Sequence, residues 1–166
     1  YNNYIADSGF CNDRSLYQGT GIGNTQSIYS TSNRLNYNKT PQFSCPNKGR
    51  DLFTVNNKQG NSMLQYPIGL ITADEIAYAG GVHGTNRENT SYYLYSNVTY
   101  WSMSPVDFRI DLLNSIVWNI YKEGFLNTGR VANNEGVRPV INLKSTVEIS
   151  SGNGTSSNPY VIKTNE

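Results

Sequence analysis

Few residues in this chain carry recognisable chemistry. The one histidine, His83, sits in the run Gly80-Gly-Val-His-Gly84. A histidine can act as base for a serine or cysteine nucleophile, but no nucleophile elbow accompanies this one, so His83 is expected to be a solvent-exposed loop residue. Asp107 with Asp111, or Asp74 with Glu75, offers a pair of carboxyls of the kind that hydrolyses glycosides. Such a pair must face each other across the substrate, whereas Asp74 and Glu75 are adjacent and at least one is needed to cap a helix. Asp107, Asp111 and nearby carbonyls are also hard oxygen ligands suited to calcium, yet the Asp-x-Asx-x-Asx-Gly pattern is absent. With one histidine and no Cys-x-x-Cys pair, zinc is not expected. Gly19-Thr-Gly-Ile-Gly23 has the glycines of a phosphate loop, but no strand precedes it and no Lys-Ser/Thr follows. The residues therefore assign no catalytic group, no metal site and no cofactor, with calcium the secondary reading.

Cys11 and Cys45 lie 34 positions apart in the first third of the chain. In a secreted protein such a pair forms one bridge, which would stabilise by about 3 to 4 kcal/mol by constraining the unfolded loop. Two buried free thiols are the alternative.

The elements that must position these residues are bounded first by composition. The 166 residues fit one domain, 1–166, large enough to bury a real core. Charged residues make up 15% and apolar ones 37%, while 23 Asn, 17 Ser, 13 Thr and 13 Tyr fill the balance. That mixture suits a β-rich extracellular domain with long hydrogen-bonded loops. A net charge of +1 without a basic run excludes a nucleic-acid binder of the electrostatic kind. No apolar stretch is long enough for membrane insertion. The chain starts at Tyr1 without Met or targeting motif and reads as an ectodomain excised from a longer protein.

Residues 1–65 show weak periodicity and many turn formers and read as loop-dominated. The run 66–72 is expected to be a short buried strand ending at a helix start. Thr72-Ala-Asp-Glu75 is a capping box and Gly80-Gly81 a stop, which predicts a helix through Ala79 with Ile76 and Ala77 against the core. Strands are expected at 92–95, at 98–103 with Pro105 ending the run, at 115–121, and through Phe125 to Val131. The run 137–143 is expected to be a core strand, with Pro139 at an edge or bulge. A closing hairpin pairs 147–149 with 160–162 around the loop from Ser150 to Pro159.

Three of these segments carry a likeness to a known family. Residues 66–81 resemble the Arg-Leu-Pro-Thr-Glu-Ala-Glu-Trp-Glu-Tyr-Ala signature of formylglycine-generating-enzyme-like proteins. Asn97-Val-Thr-Tyr-Trp101 is similar to their Asn-Val-Trp-Glu-Trp segment, and Gly136-Val-Arg-Pro-Val140 to their terminal Gly-Phe-Arg strand. Trp101-Ser-Met-Ser-Pro105, Gly136-Val-Arg-Pro-Val-Ile-Asn-Leu143 and the Ser-Ser-Asn-Pro-Tyr-Val-Ile ending resemble surface domains of gut Firmicutes, some of them pilin-like. The resemblance implies an α+β, C-type-lectin-like fold over 66–163, with antiparallel short-stranded sheets, one or two short helices and long loops. Catalytic carry-over fails. That family's cysteine chemistry lies close to its terminal Gly-Phe-Arg strand, whereas Cys11 and Cys45 lie far upstream, and Tyr100 replaces the Glu of the second motif. Asn97, Trp101, Gly136 and Arg138 are expected to serve the fold, with Arg138 pairing or capping inside the sheet.

In lectin-like folds the segment between the central strands and the terminal strand forms the ligand face. Here that implies a binding set of Met103, Phe108, Arg109, Trp118, Asn119, Tyr121 and Lys122, with Trp118 equally suited to the core. Aromatic rings give contact area at low entropic cost, and Asn and Arg supply hydrogen bonds. The expected function is a non-catalytic, adhesin-like module on the bacterial cell surface or pilus, extracellular, binding a host or neighbouring-cell surface protein or glycan. An enzyme on the same fold and a structural pilus or surface subunit are the alternatives.

Overall fold

The computed structural model describes residues 3–22, 25–84, 88–111, 113–155 and 157–164. The first part of the chain forms β1 (Ile5–Ala6), β2 (Phe10–Cys11), β3 (Leu16–Gln18) and β4 (Ser27–Tyr29). One turn of α-helix, α1 (Ser30–Asn33), runs straight into a π-helical turn over Arg34–Asn38, and α2 (Lys48–Asp51) leads into β5 (Leu52–Phe53). The remainder forms α3 (Ala73–Tyr78), β6 (Tyr100–Arg109), β7 (Asn114–Ile120), β8 (Leu126–Arg130), β9 (Asn142–Leu143), β10 (Ile149–Ser151) and β11 (Val161–Ile162). The architecture is mixed α+β, with antiparallel strands and few short helices.

One five-stranded antiparallel sheet, in the order β3-β4-β6-β7-β8, dominates among the described residues. Two-stranded pairs join β1 to β9, β2 to β5 and β10 to β11, the last a closing hairpin whose first strand lies at Ile149–Ser151, two residues beyond the expected 147–149. Ser156 of its loop, and Gly23 of the glycine-rich loop, lie outside the described residues. The α3 helix lies on the sheet as its sequence predicts, with Ile76 fully buried in a core of Tyr100, Val106, Trp118, Ile120 and Leu126. Its capping box is complete: Thr72 Oγ1 accepts from the Glu75 amide at 3.2 Å, and the Thr72 amide donates back to Glu75 at 2.8 Å. At the other end Gly80, at φ 111°, turns left-handed, and the Gly81 and Gly80 amides close onto the carbonyls of Ile76 and Ala77. This is the paired 6→1 and 5→2 closure that a left-handed C′ glycine permits.

Several sequence expectations need correction. Pro105 does not end β6. Ten residues of β6 face seven of β7, and the surplus sits in register shifts on both sides of Pro105. Pro105 stays opposite Val117, and the irregularities on both sides of it let the strand continue past a residue that cannot donate to the ladder. The 92–95 run is a turn, closed by the Tyr95 amide on the Tyr92 carbonyl, with Leu94 buried. Arg138 caps that turn, donating to the Leu94 carbonyl at 3.0 Å and the Tyr100 hydroxyl at 3.2 Å.

Neither 66–72 nor 137–143 is a core strand. The two segments meet only where Gly69 and Val140 exchange backbone hydrogen bonds, and of the second run only Asn142–Leu143 pairs further, with β1. Val137, Ile141 and Leu143 stay exposed. From Gly136 onward the chain serves three neighbours in turn, Tyr100 at Gly136, Gly69 at Val140 and β1 at Asn142–Leu143, and so never builds a continuous ladder on one of them. Gly69 is required there because a Cβ would stand 2.4 Å from the Phe10 ring.

The loop-rich first 65 residues contribute more than expected: β3 and β4 extend the main sheet, and Leu35 enters the core. Cys11 and Cys45 are bridged. Arg34, 8% exposed, forks onto both oxygens of Asp74 at 2.7 and 2.6 Å and reaches Asp13 at 2.8 Å. Burial pulls the Arg34 pKa down, but the bonds and charges of Asp74 and Asp13 outweigh it and hold the guanidinium charged. The fully buried Asp51 accepts from both Arg14 and Arg50. Asp7 gathers the amides of Val55, Asn56 and Asn57 at 2.8 to 2.9 Å. These carboxylates take the organising role that apolar side chains take elsewhere in the molecule.

Candidate functional site

A groove of about 820 Å³ crosses the sheet from β3 to β8. Its walls come from separate parts of the chain: Tyr17 and Gln18 of β3, Ile28 of β4, Asn33, Asn36, Tyr37 and Asn38 of the helical turns, Asp107 and Arg109 of β6, and Thr128 of β8. Two departures from regular backbone shape it. The π-helical turn at 34–38 buries Leu35 and leaves Tyr37 78% exposed. On the other wall, the register shifts around Pro105 lie just before Asp107 and Arg109. π-turns and bulges of this sort re-aim side chains and concentrate beside functional sites.

Arg109 Nε donates to Asp107 Oδ2 at 3.1 Å, so the two opposite charges on β6 neutralise each other. Two buried acceptors in residues lining the groove, Asn36 Oδ1 and Asp107 Oδ1, have no donor among the described residues. His83 also reaches the groove. It is half-buried rather than a free loop residue, and its ring meets that of Trp118 edge-on at 5.0 Å. Burial and, second, the Lys39 charge lower its pKa, so the imidazole is neutral at pH 7. Asp107 and Asp111 share the groove, but Arg109 engages Asp107. Among the described residues no three metal-ligating side chains gather.

A second cavity, of about 480 Å³, lies beside the disulfide and the Arg34 cluster. At its Arg34 wall the polar groups serve one another: each Arg34 guanidinium nitrogen donates to a carboxylate, and Asp74 also accepts the Gln42 amide at 3.0 Å. In the groove, by contrast, the side chains of Tyr17, Tyr37 and Asn38 are exposed.

The sequence-predicted ligand set does not stay together. Arg109 lies in the groove, and Phe108 beside it is half-buried between Ser27 and Ser115. Trp118 and Asn119 are at 0% and 2% exposure and belong to the interior. Trp118 stands mid-strand with β6 and β8 on either side and α3 above, and Asn119 donates to Glu135 at 2.8 Å. Met103 is half-buried against Phe10, Phe53 and Leu70. Tyr121 pairs with the Phe125 ring at 5.2 Å, and exposed Lys122 stands 3.8 Å from Glu123, both at the end of β7 opposite Arg109.

Sequence reasoning missed Tyr17, Gln26, Asn33, Asn36, Tyr37 and Asn38, all from the part read as loop. A signal was present in Arg34-Leu-Asn-Tyr-Asn38, where one apolar residue alternates with amides and a tyrosine. Compared with known proteins, the chain matches no family model, no curated protein and no solved structure.

Proposed function

We propose that this chain is a non-catalytic binding module of a bacterial cell-surface or pilus protein, extracellular and C-type-lectin-like, that recognises a protein or glycan on a host or neighbouring cell. The observation that carries the reading is the groove itself, lined by amides, two exposed tyrosines, the Asp107–Arg109 pair and Asp111. Such groups hold a partner by hydrogen bonds and ring contacts. The disulfide fits an oxidising, extracellular setting. The likeness of residues 66–163 to surface domains of gut Firmicutes points the same way.

The test is a screen of the purified domain against glycan arrays and host surface proteins, alongside Arg109→Ala. The reading predicts saturable binding that the variant weakens while thermal stability stays nearly unchanged. Absence of binding to every glycan and protein tested would sink it.

An enzyme on the same fold is favoured by one observation: neutral His83 shares the groove with Asp107 and Asp111. Turnover of an array ligand that Asp107→Asn abolishes would establish that reading instead.

A further inference from the structure

Resting on the binding-module reading, we propose that the groove between the π-helical turn and bulged β6 holds a neutral oligosaccharide, with the ring of Tyr37 as its stacking platform and no metal ion needed.

The lining selects the ligand class by elimination. Its charged side chains are Arg109, Asp107 and Asp111, with Arg109 Nε bonded to Asp107. An anionic chain such as a sulfated or sialylated glycan would therefore meet a lining of net negative charge, two carboxylates against one guanidinium beside a neutral His83. An apolar peptide anchor needs a desolvated pocket. This groove offers instead amides that donate and accept at once, which suits hydroxyl groups that do the same.

Tyr37 and Tyr17, 78% and 60% exposed, border the groove. No core contact requires rings so open, and the electron-rich face of a tyrosine receives the C–H face of a sugar ring. A volume of about 820 Å³ lies within the range of sites that enclose ligands of several rings. An extended peptide would instead add to the free edge of β3, but that strand is three residues long, shifts register against β4, and turns at Gly19 with φ 88°. It offers few rungs. Arg109 holds one oxygen of Asp107, and among the described residues no three metal-ligating side chains gather, so the proposal calls for no metal ion.

The experiment is titration calorimetry with neutral gluco-, galacto- and chito-oligosaccharides, their sulfated and sialylated counterparts, and an extended-peptide library. Wild-type protein is compared with Tyr37→Ala and Tyr17→Ala. The expected result is binding of a neutral oligosaccharide that survives EDTA and weakens about tenfold or more in Tyr37→Ala. Circular dichroism melting of that variant should match wild type, because the ring is exposed. Binding of only the anionic glycans, loss with EDTA, or undiminished affinity in both tyrosine variants would overturn the proposal. Binding of peptides but no glycan would overturn it too, while leaving the binding-module reading intact. Failure to bind any probe, glycan or protein, would remove both.

Discussion

Between α3 and the sheet, contact is made by Ile76, Trp118, Ile120 and Leu126, all at or below 1% exposure. In residues 3–65 the deeply buried side chains include Asp51, Thr31, Thr54, Asp13 and Arg34. The first region is closed by apolar burial, which tolerates approximate fit. The second is closed by carboxylates whose every partner must be in place, because a buried charge that loses its partner is costly. The comparison teaches that a segment poor in apolar residues can still be ordered, provided its charges are paired and its backbone amides have acceptors. It also explains why the groove lies where the two regions meet: polar side chains can line a wall there without being needed by the core.

The largest expected effect is at the ion cluster. Arg34→Ala leaves Asp13 and Asp74 facing each other without a cation, and urea denaturation should show a loss of about 3 to 5 kcal/mol. If the loss is under 1 kcal/mol, the second region is not held by its charges. Next, reduction of the Cys11–Cys45 bridge should cost about 3 to 4 kcal/mol in the same assay, for a loop of separation 34. An unchanged midpoint after reduction would mean that the ion clusters alone secure these residues.

Acid should separate the two regions. The Asp51 carboxyl pays for burial but is held below its ordinary range by Arg50 and Arg14, and Asp7 is likewise held low, against desolvation, by the amides of Val55, Asn56 and Asn57. Their folded pKa values lie below the unfolded ones. The stability they contribute is therefore complete above about pH 4 and lost as pH falls through the lowered folded values. Hydrogen exchange near pH 3 should then open the amides of Val55 and Asn57 before those of Trp118 and Ile120. Simultaneous opening would contradict the division.

The smallest effect belongs to the helix cap. Thr72→Ala should cost about 1 kcal/mol, read as a modest drop in melting temperature. A loss of several kcal/mol would show that α3 depends on its cap rather than on Ile76.

The legibility of the sequence follows the same division. The α3 cap, the stop at Gly80-Gly81, the strands β7 and β8 and the closing hairpin are local signals, each decided within a few residues. Pro105 misled because a bulge absorbs what proline cannot donate, a solution set by the partner strand. Trp118 suits a ligand face and the core equally in the sequence, because an aromatic in an alternating strand reads the same on either side, and the structure puts it in the core. Arg34, Asp13 and Asp74 come from distant positions, and no local pattern predicts that they meet. For the same reason the groove is only partly visible in the sequence: Arg109 stands out, but Tyr37 and Asn36 oppose it across a sheet whose strands β3 and β4 lack the local signals of strands.

The most direct measurement is amide chemical-shift mapping of the isotopically labelled protein with whichever glycan or surface protein it binds. The account predicts perturbations centred on Tyr17, Gln18, Asn33, Asn36, Tyr37, Asn38, Asp107 and Arg109. Perturbations centred on Tyr121, Lys122 and Phe125, at the opposite end of β7, would contradict it.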